Sequence, residues 1–296
     1  MRTSTPVRPG RLPRLAVPVV AALVGLGVAV GPAPAALAAP DRDAVDVVAH
    51  RGSSGAAPEN TIAAVQLALD HRSDVVENDI QRTRDGELVI LHDVSLARTT
   101  DVEERFPARS PWNVGDFTLA EIRTLDAGSW FDPGFAGQRV PTLAEWGRAV
   151  GRRAGMLLEV KQPQLYPGIE QDVVEELRTP VFRTALRRDR LVVQSFDHAW
   201  LRTFDGVAAD VPVGLLFAGG PPSEAQLADA ATWAEQANPA LGDMTEATVD
   251  QIHSHGLETH VWTVNDGQGM RRAISWDVDG VITNYPQVLR DILRRG

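Results

Sequence analysis

The sequence predicts an α/β fold of the TIM type, a (β/α)8 barrel of parallel strands with helices between them. Short apolar runs alternate with amphipathic stretches from residue 45 to the C-terminus. No internal repeat or low-complexity linker divides this part of the chain. Residues 40–296 also suit the length of one such barrel, so we expect them to form a single domain.

Eight short apolar runs are the candidate strands. They lie at 45–49, 75–80, 156–160, 191–195, 213–217, 237–241, 259–264 and 280–283. Helical patterns fill most of the intervals between them, at 61–71, 142–152, 169–179, 200–207, 223–237, 245–255 and 267–276. Strands that alternate with helices in this way are typical of βαβ units and therefore of a parallel sheet.

One segment departs from the alternation. The tight-turn sequence Arg-Asp-Gly-Glu at 84–87 separates two β-like runs and leaves no room for a helix, so we predict a hairpin after the second strand. Antiparallel pairing about this turn would place Asp79 level with His92. Residues 94–140 carry several prolines and glycines and are predicted to form a loop-rich insertion. Long loops at the top of a barrel usually shape the substrate pocket.

Residues 1–39 have the composition of a secretory signal peptide. Four arginines precede an apolar run at 15–30, and small residues follow, with Ala36 and Ala38 of the type found at the −3 and −1 positions. The alternative is a membrane anchor, but the run is short for a membrane span and is interrupted by Pro18. No arginine pair marks the twin-arginine route. We therefore expect cleavage of this leader and a secreted, extracellular protein.

The charge of the chain excludes some classes of partner. The whole chain carries −10 and the leader +4, so residues 40–296 carry −14. A surface this acidic repels nucleic acid and anionic membranes, and it favours an enzyme that captures a small anionic substrate at one local site. We expect no stable membrane anchor and no obligate protein partner. Because the chain has no cysteine, its stability must come from a large core, with possible help from a bound ion.

Carboxylates occur at alternate positions of the second candidate strand. Glu77 and Asp79 point to the same side of this strand, and Glu159 ends the third parallel strand. Like charges in a buried strand repel each other unless a cation lies between them. Three carboxylates at one end of a barrel suit a hard divalent cation, Ca²⁺ or Mg²⁺. The alternative is a salt-bridge network of these acids with Arg51 and Lys161.

Two histidines and an arginine accompany the acids. His50 and Arg51 end the first strand and so lie at the C-terminal rim, where barrels of this type bind ligands. An arginine at that rim of an acidic protein needs an anionic partner, and phosphate accepts its fork of donors. His92 closes the predicted hairpin, and Asp93 beside it could fix a histidine tautomer, although bonding to the loop backbone is the expected role. Two imidazoles at one pocket can divide the proton transfers of a phosphodiester cleavage.

Aromatic residues and further histidines complete the candidates. Phe196 and Trp262 lie near strand ends and could line the substrate pocket, although packing alone would explain either residue equally well. His253, His255 and His260 are spaced like a metal cluster. The first two end a helix that feeds the seventh strand, which places them at the face of the barrel opposite the chemistry. We expect no metal there.

An ordered set of motifs resembles the glycerophosphodiester phosphodiesterase family, and its bacterial secreted members in particular. The likeness covers nearly all of residues 40–296, and the ordered set is far more specific than any single motif. The matching pieces are Ala49-His50-Arg51-Gly52, Pro58-Glu59-Asn60-Thr61, Glu77-Asn78-Asp79, Thr83-Arg84-Asp85-Gly86, His92-Asp93 with Leu96 and Arg98-Thr99-Thr100, Val140-Pro141-Thr142-Leu143, Glu159-Val160-Lys161, Gln194-Ser195-Phe196, Trp262-Thr263-Val264-Asn265 and Asp279-Gly280-Val281-Ile282-Thr283-Asn284.

The resemblance implies a fold, a reaction and roles for the site residues. The implied fold is a TIM-type barrel, and the implied substrate is a deacylated phospholipid such as glycerophosphocholine or glycerophosphoethanolamine. The products would be sn-glycerol 3-phosphate and an alcohol. The implied roles are metal ligands for Glu77, Asp79 and Glu159, an acid–base pair for His50 and His92, and phosphate ligands for Arg51 and Lys161.

Two other functions stay open at this point. A secreted phospholipase of C or D type would act on intact lipids and would need an apolar entrance. The only candidates for that entrance are aromatic residues of the insertion, which could instead pack as a small satellite core: Phe106, Trp112, Phe117, Trp130, Phe131 and Phe135. An exported glycerophosphodiester-binding protein would bind without turnover, but mere binding does not require two histidines together with three carboxylates.

Overall fold

The computed structural model describes residues 45–295, so the predicted leader lies outside the described residues. Nine strands and eleven α-helices follow one another along this part of the chain. The strands are β1 Asp46–Ala49, β2 Val75–Arg82, β3 Leu88–Ile90, β4 Gly155–Val160, β5 Leu191–Ser195, β6 Val213–Phe217, β7 Gln236–Pro239, β8 His260–Val261 and β9 Gly280–Thr283. The helices are α1 Ile62–Asp70, α2 Val102–Arg105, α3 Leu119–Ile122, α4 Leu143–Val150, α5 Ile169–Leu177, α6 Arg183–Leu186, α7 His198–Val207, α8 Glu224–Ala230, α9 Glu246–Ser254, α10 Gly267–Ser275 and α11 Pro286–Arg295.

Eight of the strands form a nearly closed parallel barrel. Their order is β7-β6-β5-β4-β2-β1-β9-β8, and every neighbouring pair is parallel. Two isolated parallel bridges, Gln236 with Glu258 and Ala240 with Trp262, join the two ends of this sheet. The TIM-type barrel predicted from the alternating pattern is confirmed.

Burial explains why the barrel strands read as apolar runs. Helices cover the outer face of a parallel barrel and side chains fill its interior, so both faces of each strand are dry. Every residue of β4 and of β6 is buried. Several of the helices start at a polar side chain that caps their first turn. At α4, for example, Thr142 accepts a hydrogen bond from the Glu145 amide and the Glu145 carboxylate bonds back to Thr142, while Trp146 packs into the core.

Some element boundaries differ from the sequence prediction. The helix predicted at 223–237 ends at Ala230, because residues from Gln236 onward pair with β6 as a strand. Three short helices and the C-terminal helix α11 were not predicted. The last of these had a signal in the sequence, since Leu289, Ile292 and Leu293 recur at helical spacing and pack against the barrel core.

The predicted hairpin is formed by β2 and β3, but its register is shifted. Thr83 and Glu87 are hydrogen-bonded across the turn, so three residues separate the last pair where a two-residue turn was expected. The Leu91 amide consequently donates to the Asp79 carbonyl over 2.9 Å. Asp79 therefore lies opposite Leu91, and the prediction that it would lie level with His92 is wrong by one residue.

The insertion at 94–140 has a small core of its own. It is rich in loops, as predicted, and also contains short helical turns that were not predicted. Its fully buried centre includes Val114, Phe117, Ile122 and Leu125. The Phe106 ring packs edge-on against the Phe117 ring, with the ring centroids 5.3 Å apart. Several of the aromatic residues considered as a lipid entrance are thus part of a satellite core.

None of the helices within residues 45–295 combines the length and the apolar composition that a membrane span requires.

Candidate active site

The carboxyl ends of β1, β2 and β4 bring the predicted site residues to one mouth of the barrel. Asp79 on β2 is in register with Glu159 on β4. Glu77 lies two residues before Asp79 and on the same face of β2. Its Oε2 accepts a hydrogen bond of 2.7 Å from the Arg51 backbone amide at the end of β1. Parallel pairing of β1, β2 and β4 therefore brings three stretches that are distant in sequence next to one another in space.

The three acids form a compact buried cluster. One carboxylate oxygen from each of Glu77, Asp79 and Glu159 lies within 4.8 Å of the others, and all three residues are buried. Glu77 Oε1 and Asp79 Oδ1 have no hydrogen-bond partner in the protein. Buried carboxylate oxygens without a partner are strongly unfavourable. Hard oxygen donors arranged in this way fit a divalent cation such as Ca²⁺ or Mg²⁺.

Burial and repulsion between the acids raise the pKa values of Glu77 and Glu159, whereas neighbouring cations lower that of Asp79. Burial, and then the charges of Asp79 and Glu159, raises the pKa of Glu77 well above its ordinary value. Burial, and then the charge of Asp79, raises the pKa of Glu159 to about 7. Burial also disfavours the ionised form of Asp79, but the charges of Arg51 and Lys161 outweigh it and lower the pKa. A dication in the cluster would relieve the repulsion between the acids.

Two cations flank the acids. Arg51 Nε lies 3.1 Å from Asp79 Oδ2, and Lys161 Nζ lies 2.5 Å from Glu159 Oε1. The salt-bridge network considered as an alternative is thus present. Lys161 Nζ also lies 3.8 Å from Asp79 Oδ1. The network nevertheless leaves Glu77 Oε1 and Asp79 Oδ1 without a hydrogen-bond partner, and it gives no reason for this by itself. Arg51 and Lys161 keep 17% and 13% of their side-chain surface exposed, which is enough to meet an anion in the cavity.

The backbone at the end of β1 turns sharply to present Arg51. Arg51 and Gly52 both adopt left-handed conformations, with φ of 57° and 78°. A Cβ atom at position 52 would lie 2.6 Å from the Ala64 backbone, so only glycine fits this turn against α1. Gly52 therefore supports the position of its neighbour.

Both predicted histidines face the same cavity, each with one ring nitrogen held. Asn284 Oδ1 lies 2.6 Å from His50 Nδ1, and Asp93 Oδ1 lies 2.6 Å from His92 Nδ1. Because a carboxylate only accepts, His92 Nδ1 carries the proton of that bond. In each ring Nε2 is the nitrogen that remains for a substrate. Burial, with a contribution from the charge of Arg51, lowers the pKa of His50 to about 4, so this ring is neutral at pH 7.

A cavity of about 170 Å³ joins these groups. Its lining includes both charged and aromatic side chains, and the Phe196 and Trp262 rings pack edge to face at 5.3 Å between centroids. Trp262 Nε1 donates to the Asn238 carbonyl over 2.7 Å, which fixes the indole. Asp79 lies buried beneath the cavity. The other eight predicted site residues line it: His50, Arg51, Glu77, His92, Glu159, Lys161, Phe196 and Trp262.

Comparison with known proteins agrees with this geometry. Residues 50–288 match the sequence profile of the glycerophosphoryl diester phosphodiesterase family. The chain belongs to this family. Membership confirms the predicted enzyme class, a phosphoric diester hydrolase, and removes the alternative of a non-catalytic binding protein.

Individual family members support the assignment. The chain is 36% identical over 268 residues to the glycerophosphodiester phosphodiesterase of Bacillus subtilis strain 168, over 86% of this chain and 88% of that protein. It is 36% identical over 252 residues to the glycerophosphodiester phosphodiesterase of Caldanaerobacter subterraneus subsp. tengcongensis, over 84% of this chain and 98% of that protein. The structure of an Oleispira antarctica phosphodiesterase in complex with the product sn-glycerol-3-phosphate is similar, with a TM-score of 0.72 and 27% identity, over 83% of this chain and 96% of that chain.

The structure of the present protein corrects one expectation about Asp93. Asp93 was expected to bond to its own loop backbone. Its two carboxylate oxygens instead accept hydrogen bonds from His92 Nδ1 and Arg98 Nε. Arg98 is the residue of the insertion that contacts Asp93. It belongs to one of the family motifs, but no role was predicted for it.

Other supporting residues were also missed. Asn60 Nδ2 donates to Asp79 Oδ2 over 2.8 Å, and Glu59 Oε1 accepts from the Arg51 guanidinium over 3.0 Å. Asn284, which contacts His50, is 234 positions away from it in the chain. Each of these residues lies in one of the quoted motifs, so their place in an ordered motif was the available signal.

The discounted histidines lie outside the site, as expected. His253 pairs with Asp279 and His255 pairs with Glu224, each through Nε2 at 2.9 Å. Within residues 45–295, the acidic cluster at the mouth of the barrel is the group of side chains whose geometry suits a metal ion.

A wider groove adjoins the cavity. Its volume is about 610 Å³, and it shares Glu159, Lys161 and Phe196 with the cavity before it continues over the loops that follow β4 and β5. The site thus consists of a small cavity and a wider groove that adjoins it.

Proposed function

We propose that the protein hydrolyses glycerophosphodiesters, such as glycerophosphocholine or glycerophosphoethanolamine, to sn-glycerol 3-phosphate and an alcohol. The observation that carries this proposal is a buried cluster of three carboxylates that shares a small cavity with two oriented histidines. Two of the carboxylates have an oxygen without a hydrogen-bond partner. The names of the two relatives and the product held by the Oleispira enzyme support the substrate class.

One divalent cation, Ca²⁺ or Mg²⁺, would be held by Glu77, Asp79 and Glu159. When bound, it would supply positive charge for a non-bridging phosphate oxygen as negative charge builds up in the transition state. Arg51 and Lys161 would bind the other phosphate oxygens, since both side chains reach the cavity. Fixed cations need little reorganisation during the reaction, which is the advantage of a preformed site.

His50 and His92 would move the protons through their Nε2 atoms. One ring accepts the proton of the nucleophile, either water or the neighbouring glycerol hydroxyl, and the other gives a proton to the departing alcohol oxygen. Attack by the glycerol hydroxyl would give a cyclic phosphate, which a water molecule would then open to sn-glycerol 3-phosphate. Asn284 and Asp93 hold the two Nδ1 atoms, so neither ring has to search for its orientation. Phe196 and Trp262 would contact the carbon side of the glycerol unit, and the alcohol would extend toward the open groove.

Release of glycerol 3-phosphate tests this proposal. We expect turnover of several glycerophosphodiesters that is lost with a chelator. The variants His50→Ala and His92→Ala should each lower kcat by about 10²–10⁴-fold, because general acid–base catalysis contributes this much. His255→Ala is the matched control, since that ring pairs with Glu224 outside the site. An unchanged rate in the presence of the chelator would contradict the ion assignment. Histidine variants with the kcat of the wild type would contradict the mechanism.

The same assay separates deacylated from intact substrates. Of the six aromatic residues considered as a lipid entrance, Phe117 is fully buried and Trp130 is the one with a clearly exposed side chain, at 39%. This is a small apolar surface compared with the patches that mark membrane-binding sites. We therefore expect activity on glycerophosphocholine and none on phosphatidylcholine vesicles.

We also propose that the protein is secreted after removal of residues 1–39. The support is the pattern of basic, apolar and small residues in the leader together with the acidic charge of the remaining chain.

A further inference from the structure

A continuous chain of charged side chains runs around the mouth of the barrel from Arg51 to His92. Arg51 Nη1 donates to Glu59 Oε1 over 3.0 Å, and Arg98 donates to both oxygens of Glu59 over 2.7 and 2.9 Å. Arg98 Nε donates to Asp93 Oδ2 over 2.5 Å. Asp93 Oδ1 accepts from His92 Nδ1 over 2.6 Å. We call these five residues the rim chain.

In the middle of the rim chain, each guanidinium nitrogen of Arg98 and each carboxylate oxygen of Glu59 and Asp93 makes a hydrogen bond. A guanidinium is planar and rigid, so its position fixes both carboxylates at once. A rotation of any one of these groups breaks at least one bond to its neighbours.

Folding stability does not account for the outer part of the rim chain, the pair of Arg98 and Asp93. The Arg98 side chain is 45% exposed and that of Asp93 is 32% exposed. Ion pairs that are open to water add little to stability because solvent screens them and the side chains lose entropy. Glu59, Asp93 and Arg98 also do not line the cavity. Any effect they have on the reaction must pass through Arg51 and His92, which do.

We propose that Glu59 and Arg98 are positioning residues, which hold the phosphate-binding guanidinium of Arg51 and the imidazole of His92 in one fixed relation. A phosphate bound by Arg51 would then meet His92 Nε2 without a search for the right ring orientation. This inference rests on the proposed function, since it assigns how two of its residues are kept in place. It also gives the insertion a part in the site, because Arg98 belongs to residues 94–140.

Kinetics of Arg98 variants test the inference. We expect Arg98→Ala to lower kcat by about 10–100-fold, the usual effect of losing a residue that orients a functional one. Arg98→Lys should not restore the rate, because a single ammonium cannot replace the fork between two carboxylates. Glu59→Gln should lower kcat and raise KM, since Glu59 contacts both arginines. Arg105→Ala is the control: Arg105 pairs with Asp101 over 3.0 Å in the same insertion, and its side chain is 54% exposed against 45% for Arg98.

A double-mutant cycle distinguishes positioning from a general structural role. In an Asp93→Ala background the link to His92 is already broken, so adding Arg98→Ala should lower kcat by less than about threefold. If the Arg98→Ala change instead lowers kcat by the same large factor in both backgrounds, Arg98 does not act through Asp93 and the inference is overturned.

Crystal structures provide a readout that does not depend on turnover. The His92 ring should occupy more than one rotamer, or a new one, in Arg98→Ala and should stay unchanged in Arg105→Ala. A wild-type protein without turnover contradicts the proposed function, whatever these structures show. A wild-type protein with turnover whose Arg98→Ala variant keeps both kcat and the His92 rotamer contradicts only the inference.

Discussion

Glu159 illustrates how the surroundings of one residue set its chemistry. Its ordinary pKa is 4.5, and burial beside Asp79 raises the pKa to about 7 in the folded protein without an ion. When folding raises the pKa of an acid, its contribution to the stability of the protein is fully present below the pKa of the unfolded state. The contribution is lost as the pH rises through the pKa of the folded state. A bound dication requires the deprotonated form, so proton and ion compete for the same group.

This competition predicts the pH dependence of ion binding. Without an ion, the Glu159 contribution to stability should be lost between about pH 5 and pH 8. The rise in Tm caused by Ca²⁺ or Mg²⁺ should grow over the same range. Differential scanning calorimetry with chelator and with saturating ion at several pH values measures both effects.

A neutral variant isolates the contribution of Glu159. Glu159→Gln should be more stable than the wild type at pH 8 without an ion, and it should lose most of the ion-induced rise in Tm. Glu224→Gln changes a surface acid and serves as the control. An ion-induced rise in Tm that is the same at every pH, in wild type and variant, would show that Glu159 is not a ligand.

Single residues differ in how far the sequence could define them. Glu77 and Asp79 alternate along one strand, so their common direction followed from local geometry. Asp93 was misjudged because its partner Arg98 reaches it through the fold of the insertion, which no local pattern reports. Asn284 was given no role because its contact with His50 exists only once β9 lies beside β1.

Among the elements, the insertion shows how a loop-rich segment can be rigid. Phe117 is fully buried at its centre and contacts Phe106 on one side, while the Arg109 guanidinium lies 3.7 Å from its ring centroid. The same cluster contains Leu91, the residue before His92. The packing of the insertion is therefore continuous with the strand end that carries a candidate catalytic residue.

Removal of the Phe117 ring should test this continuity. Phe117→Ala should destabilise the protein by about 3–5 kcal/mol, as expected for a buried aromatic residue, and should lower kcat as well. Urea unfolding and the glycerol 3-phosphate assay measure the two effects. Leu165→Ala, at a side chain that is 49% exposed, should change the free energy of unfolding by no more than about 0.5 kcal/mol. An unchanged unfolding midpoint for Phe117→Ala would refute the idea that this core holds the insertion together.

The sequence pattern predicted the β2–β3 hairpin but not its register. Two β-like runs around a turn sequence were enough to predict β2 and β3. Their register depended on whether two or three residues form the turn, and the Thr83–Glu87 bond decides for three. A change of one residue in the turn shifts every pair across the hairpin, so the side chain opposite Asp79 could not be read from the sequence.

For the whole molecule, the composition of residues 1–39 leads to a further expectation. If residues 1–39 are a signal peptide, the protein in the culture medium should begin near Ala39 and carry the excess negative charge of the remaining chain. N-terminal sequencing of the secreted protein measures this. As a control, Leu23→Arg would interrupt the apolar run and should keep the protein inside the cell. A mature protein that still begins at Met1 would contradict the proposal.

The sequence by itself determined the class of the fold and the types of residue at the site. Alternating strands and helices indicate a parallel sheet, because a parallel strand is reached by a crossover connection, and eight such strands in one domain are typical of a barrel. The ordered motifs then indicated the family and its reaction. These properties depend on local pattern and on residue identity, which the chain carries directly.

The tertiary structure decided which groups act together. It placed carboxylates from β2 and β4 around a common centre, paired His50 with Asn284 and His92 with Asp93, and joined Arg51 to His92 through Glu59 and Arg98 as the rim chain. The physical reason is that electrostatic and hydrogen-bonding interactions depend on distances in space. Closure of the barrel sets those distances between segments that the chain keeps far apart.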